Sequence, residues 1–240
     1  MSGHTQGLER IKDMVREVRG LGMEVWVTLG MLDSKAAEEL KHAGLTAYNH
    51  NLATSREFYR KAITTREFNG RLRTIENVLN AGISVFNVRI LGLGETAADR
   101  VSFPQTLSTL PKYPESVPIN VLVSIKVTPM GENKEVPFDG FRRVVTTTRI
   151  LVPGTVVRLA AMRINLTEEG QVLAFFTGAN AVFTGERILT TECSGFDADK
   201  RLLERWGLVN MKPFRGEDNG GTEAVAEVKR RGREGITEGV

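Results

Sequence analysis

The chain has 240 residues, 41% hydrophobic and 25% charged, the balance of an ordinary globular protein. Its net charge of +3 comes without a Lys/Arg face interleaved with aromatics, and no apolar run approaches the roughly 20 residues of a membrane span. Nucleic acid is therefore not the expected partner, and an integral membrane protein is not expected. A single cysteine, Cys193, excludes a disulfide framework within the chain and cannot by itself supply the several thiolates of an iron–sulfur cluster.

Helical and strand periodicities alternate along the chain. Residues 5–20 place Leu8, Ile11, Val15 and Val18 on one helical stripe, and the segment before them has no apolar signal core. Met23 to Leu29 reads as a buried strand closed by Gly30. Ser34 is expected to cap a helix running to about Ala43. Leu45 to His50 is the second strand, and residues 68–81 form a helix stopped at Ala81-Gly82. Ile83 to Leu91 is the third strand, followed by the turn Gly92-Leu-Gly-Glu95 and a helix to about Leu110.

Val117 to Val127 is the fourth strand, beginning beside a proline, and Phe138 to Leu151 is helical. Thr155 to Ala161 makes a fifth strand, 167–176 a helix, Ala181 to Thr184 a short sixth strand, and 198–206 a last helix. Apolar strands alternating with helices predict a parallel sheet covered by helices. Residues 1–212 form that unit. Residues 213–240, rich in Gly, Glu, Asp, Lys and Arg, are expected to be a flexible tail or a partner-binding arm.

Local motifs carry little chemistry. His4, His42 and His50 have no metal-ligand spacing, and Cys193 stands apart from other candidate ligands. Gly92 and Gly94 suit a tight strand-to-helix turn, and the loop is too short to cradle a phosphate. Along YNHN, Asn49 and Asn51 alternate with His50 and so share one face, with His50 on the other.

The ordered segments YNHNLATS (48–55), ITTREFNGRL (63–72), ILGLGET (90–96), PESVPINVLV (114–123), VVRLAA (156–161) and TGANAVFTGE (177–186) resemble biotin synthase, a family of radical S-adenosylmethionine enzymes. The resemblance runs from about residue 8 to 208. It implies an incomplete TIM-type (β/α) barrel, with six parallel strands corresponding to strands three to eight. In the family, S-adenosylmethionine and dethiobiotin lie inside, between a four-iron (4Fe–4S) and a two-iron (2Fe–2S) cluster. The loop with the CxxxCxxC motif belongs to the first two strands, which have no counterpart here.

Carried over by that resemblance, Asn49, Asn51 and Asn120 match asparagines that meet substrate or the cofactor ribose. Arg71 matches an arginine pairing with the methionine carboxylate, where a bidentate fork fits. Arg158 matches the arginine ligand of the two-iron cluster. Ala53 stands where the family has a ribose-binding aspartate. Trp26 and Phe86 stand where it has cysteines, and Val88 and Arg89 replace two glycines, so these bulky side chains are expected to fill the vacated interior.

On these grounds the expectation is a non-catalytic structural or assembly subunit of a larger, mitochondrial (matrix-side) complex, with no cofactor and no metal. Other subunits would cover the open barrel edges. Half of a split radical enzyme completed by another chain is one alternative. A small-molecule binding module using Asn49, Asn51, Arg71 and Asn120 is the other.

Overall fold

The computed structural model describes residues 3–160, 163–188 and 191–210; the expected tail of 213–240 lies outside the described residues. In chain order the elements are α1 (Gly3–Gly20), β1 (Trp26–Val27), α2 (Ser34–His42), β2 (Ala47–Asn49), α3 (Tyr59–Ala62), α4 (Phe68–Asn80), β3 (Ser84–Phe86) and β4 (Arg89–Leu91). Then follow α5 (Ala97–Ser108), β5 (Ser116–Val121), α6 (Phe138–Leu151), β6 (Val156–Leu159), α7 (Glu168–Phe176), β7 (Ala181–Val182), β8 (Arg187–Ile188), β9 (Thr191–Glu192) and α8 (Phe196–Arg205).

The main sheet is wholly parallel, in the order β1-β2-β3-β5-β6-β7, with β4 beside β5. It does not close, so β1 and β7 are its edges among the described residues. This is the incomplete barrel the sequence predicts. The expected third strand is split into β3 and β4, and Pro118 is the reason. Alternate residues of β5 face that neighbour: Ser116 O accepts from Asn87 N at 3.0 Å and Leu122 N donates to Leu91 O at 2.8 Å. Pro118, of the same parity, has no N–H to give, and the ladder lapses opposite it.

Strand ends were overestimated from sequence. Only Trp26 and Val27 of the first expected strand pair, and Trp26 is half exposed rather than buried. The fourth stops at Val121; beyond it Val123, Ile125 and Val127 are exposed, an apolar alternation that is not strand. Apolar alternation alone cannot tell a paired strand from an extended loop. The antiparallel hairpin β8–β9 and the short α3 carried no signal in the pattern.

Helix starts follow local hydrogen bonding. Asp33, not Ser34, caps α2 by accepting from Ala36 N at 2.8 Å. Thr96 and Asp99 form a reciprocal capping box on α5. The Gly-Leu-Gly-Glu turn is filled by its own side chain: the Glu95 carboxylate accepts from Gly92 N at 3.1 Å and Leu93 N at 2.8 Å, and from Arg100 Nε at 2.9 Å. The amides an anion would need are already occupied, in keeping with the absence of a phosphate loop.

The core lies between the sheet and its helices, where Leu40, Tyr48, Leu52, Ile75, Val85, Leu91, Leu107, Ile119 and Val157 are buried. On the C-terminal side, Arg163 is nearly fully buried and draws several elements together. Its Nε donates to Gln171 Oε1 at 3.0 Å and its Nη1 to Phe183 O at 3.2 Å; Nη2 donates to Ser194 Oγ at 3.1 Å and to the Asp199 carboxylate. Burial lowers its pKa, and the pairing with Asp199 anchors α8.

Candidate functional site

Strand registers fix which residues share the sheet face away from the helices. Trp26 pairs with Ala47 and Ala47 with Ser84; Asn49 pairs with Phe86 and Phe86 with Ser116; Ile90 pairs with Asn120, and Pro118 with Arg158. Cross-strand partners in a ladder point to the same side. Trp26, Asn49, Phe86, Ile90, Asn120 and Arg158 therefore line one inner face, as the sequence predicts for the asparagines. Their neighbours Tyr48, Val85, Arg89, Leu91, Ile119 and Leu159 point outward beneath the helices and are buried.

His50 lies with this outer set, 3% exposed, its Nε2 without a hydrogen-bond partner. Burial, together with the charge of Arg71, pushes its pKa down to about 4, so it is neutral near pH 7. Tyr48, pushed up to about 12 by burial, remains a phenol. Its hydroxyl donates to Gly30 O at 2.8 Å and accepts from Leu29 N at 3.1 Å, tying the loop after β1 to β2.

The inner polar residues are held rather than loose. Asn49 Nδ2 donates to Thr28 Oγ1 at 3.2 Å. Asn51 clamps the next strand: its Oδ1 accepts from Val88 N at 3.0 Å, and its carbonyl accepts from Arg71 Nη1 at 2.9 Å. Arg71, on the first turn of α4, leaves a buried Nε without a partner. Arg158 donates from Nη1 to Val182 O at 2.8 Å and lies over the Phe183 ring at 4.8 Å, its Nε also buried and unpartnered. Burial lowers its pKa, though not enough to discharge it.

The structure corrects the expectation that the bulky substitutions together fill the interior. Trp26 and Phe86 do meet there, ring centroids 4.1 Å apart and tilted by 37°. Arg89 does not. One residue out of phase with Val88, it points behind the sheet, fully buried, over the Phe103 ring at 5.1 Å. Its Nη1 makes a long hydrogen bond to Ala53 O at 3.4 Å, while burial pushes its pKa down to about 10, opposed by the charge of Glu95. Ala53, in the turn that Arg89 touches, holds φ 64°, a left-handed conformation that strains an alanine. Thr28, Phe183 and the Val88 amide were missed from sequence. Counting inward parity from Trp26 would have found Thr28, but the other two are reached only through the third dimension.

Comparison with known proteins completes the picture. Residues 2–106 match the Radical SAM superfamily, and residues 118–209 match the Biotin and Thiamin Synthesis associated domain. The chain is 55% identical over 222 residues to a mitochondrial biotin synthase of Emericella nidulans, covering 92% of this chain and 56% of that protein. It is 46% identical to a mitochondrial biotin synthase of Arabidopsis thaliana, covering 94% and 60%. The chain thus spans a little over half the length of these curated relatives.

Among solved structures, a methylornithine synthase superposes with TM-score 0.66 at 19% identity, covering 90% of this chain and 66% of that one. An FeFe-hydrogenase maturase from Carboxydothermus hydrogenoformans gives 0.68 at 17%, covering 87% and 53%. At such identities these two speak for the fold alone.

The sequence matches overturn the expectation of a non-catalytic structural subunit that is not an enzyme and has no cofactor. The relatives are biotin synthases, and the matched superfamily implies S-adenosylmethionine and iron–sulfur cofactors. The expectation failed because counting thiolates tests ligand supply within 240 residues only, whereas identity spread over nine-tenths of the chain samples the whole inner and outer packing. With 55% identity to a biotin synthase over 92% of its length and a Radical SAM match over residues 2–106, the chain is a biotin synthase-like radical SAM protein.

Proposed function

We propose that the protein acts as a biotin synthase, a sulfurtransferase converting dethiobiotin to biotin, and that this chain supplies its ligand-binding inner face. The identity of 45–55% with curated biotin synthases across most of the chain carries the reading. S-adenosylmethionine fits the residues present. Asn49, Asn51 and Asn120 lie on or beside the inner face, and the unpartnered buried Nε of Arg71 is a donor suited to a carboxylate. Bound there, S-adenosylmethionine would supply the radical chemistry of the superfamily. The protein's part is to hold the amino-acid end through Arg71, orient the ribose and substrate through the asparagine amides, and exclude water with the Trp26–Phe86 wall.

Iron–sulfur clusters do not fit this chain's own side chains. Among the described residues no three His, Cys, Asp or Glu side chains converge, and Cys193 is free. Trp26 and Phe86 occupy the two positions where the resemblance places cysteines. The thiolates must come from protein beyond these 240 residues, which is also what would cover the edges β1 and β7. The names of the Emericella and Arabidopsis relatives support a mitochondrial setting, and no described helix is long and apolar enough to cross a membrane.

The test is biotin formation from dethiobiotin and S-adenosylmethionine by this chain assembled with the remaining portion of the Emericella nidulans relative. Biotin produced above that portion alone is the expected result. A folded assembly that binds S-adenosylmethionine yet makes no biotin would overturn the reading.

A further inference from the structure

The turn that follows β2 is strained, and it stands between the inner face and α5. Thr54 N donates to Leu52 O at 2.8 Å, closing a three-residue turn on Ala53. Ala53 holds φ 64°, and a three-residue turn with positive φ at its centre is the rare, strained form. Strained backbone persists only where its surroundings over-determine it. Here the neighbouring strand does the holding: Ala53 N donates to Val88 O at 3.1 Å, and Ile90 N donates to Ala53 O at 2.9 Å. Leu52 N donates to Asn87 Oδ1 at 3.2 Å.

Arg89 adds a side-chain hold from behind the sheet. Its Nη1 donates to the same Ala53 carbonyl, and its guanidinium lies over the Phe103 ring of α5. The side chain is 0% exposed, and its Nε and Nη2 have no hydrogen-bond partner among the described residues. A buried guanidinium with two idle nitrogens is a costly way to fill space. A methionine would pack on Phe103 without that desolvation. What the cation adds over an apolar side chain is a donor aimed at Ala53.

That donor bears on the ligand side. Two residues before Ala53, the Asn51 carbonyl accepts from Arg71 Nη1 at 2.9 Å, while the buried Arg71 Nε stays unpartnered. Two residues after it, Ser55 Oγ donates to Asp99 Oδ1 of α5 at 2.7 Å. The turn is fixed to α5 on one side and braces Arg71 on the other. A change of φ at Ala53 would therefore swing Asn51 against a fixed Ser55.

We propose that Arg89 is a positioning residue for the inner face: it holds the strained turn at Ala53, and through Asn51 it sets where Arg71 presents its free donor. This rests on the reading of Arg71 as the residue that meets the carboxylate of S-adenosylmethionine. Arg89 touches no ligand itself.

The test uses this chain assembled with the remaining portion of the Emericella nidulans relative. S-adenosylmethionine binding is measured by equilibrium dialysis and stability by urea denaturation. Arg89→Met should weaken S-adenosylmethionine roughly five-fold, the scale of one displaced hydrogen bond, while the urea midpoint stays or rises. Arg89→Lys, which keeps a donor, should retain most of the affinity. Glycine takes a positive φ without being held, so adding Ala53→Gly to Arg89→Met should restore binding. The double variant decides the matter if Arg89→Met does not fold.

A urea midpoint lowered together with affinity in Arg89→Met, or a double variant that fails to bind, overturns the positioning role. Biotin formation with native affinity in Arg89→Met overturns that role alone. The expected shifts in an assembly that makes no biotin overturn the proposed function alone, and an unsubstituted assembly that binds no S-adenosylmethionine overturns both.

Discussion

The two faces of one sheet behave as different materials. Along Tyr48–Leu52 and Arg89–Leu91 the outward side chains are almost wholly buried, and their titrations are dominated by desolvation: His50 is pushed to about 4, Tyr48 to about 12 and Arg89 to about 10. The inward side chains Asn49, Asn51 and Ile90 are partly exposed, and with Arg158 and the Trp26–Phe86 pair they make the inner face a set of amides, a guanidinium with an unpartnered Nε and stacked rings. Stability and recognition are thus separated by a single residue of register. A substitution's effect depends more on its parity than on its place in the chain.

The largest expected contrast sits in adjacent residues. Leu91→Ala opens a cavity under the helices and should cost about 3 kcal/mol, while Ile90→Ala on the inner face should cost about 1 kcal/mol. Urea denaturation of both decides the matter, and equal losses would show that the inner face is as tightly packed as the outer.

His50 gives a pH handle on the outer face. Its folded pKa, about 4, lies below the ordinary 6.5, so the native state favours the neutral ring. The stability this group contributes is complete above about pH 6.5 and is lost as pH falls toward 4. The loss is on the order of 3 kcal/mol. Replacing it, His50→Leu, should flatten that limb in stability measured from pH 7 to 4; parallel curves would refute the assignment.

Ala53→Gly should raise stability by about 0.5 kcal/mol by relieving φ 64°, read as a shifted urea midpoint. A fall would mean the Ala53 methyl, 8% exposed, packs for more than the strain costs. Smallest of all, Asn49→Ala removes one half-exposed hydrogen bond to Thr28. It should change stability by only about 0.5 kcal/mol while weakening ligand binding. A large destabilisation would make Asn49 a structural residue.

Much of this architecture is legible in the residues. Helix α6 runs from Phe138 to Leu151 as expected, and α4 and α7 lie within a residue of their predicted spans. The alternation Asn49-His50-Asn51 assigns one side chain inward and its neighbour to the core before any coordinates are seen. Strand ends were not legible, because an exposed run such as Val123, Ile125 and Val127 has the same pattern as a paired one. The resemblance names candidate site residues but not the partners they have in the fold. Arg71 was expected to await a carboxylate and instead also braces the Asn51 carbonyl.

The sequence by itself determined the parallel α/β order, the inward parity of the asparagines and the lack of converging thiolates. Each follows from residue type and a period of two or 3.6, which are local properties. Only the tertiary structure decided that Pro118 breaks a neighbouring strand in two, that Arg89 lies behind the sheet, and that Trp26 and Phe86 meet across Ala47. Those outcomes depend on which strand lies beside which. Pairing between segments tens of residues apart is set by the packing of the whole sheet, not by any one stretch of chain.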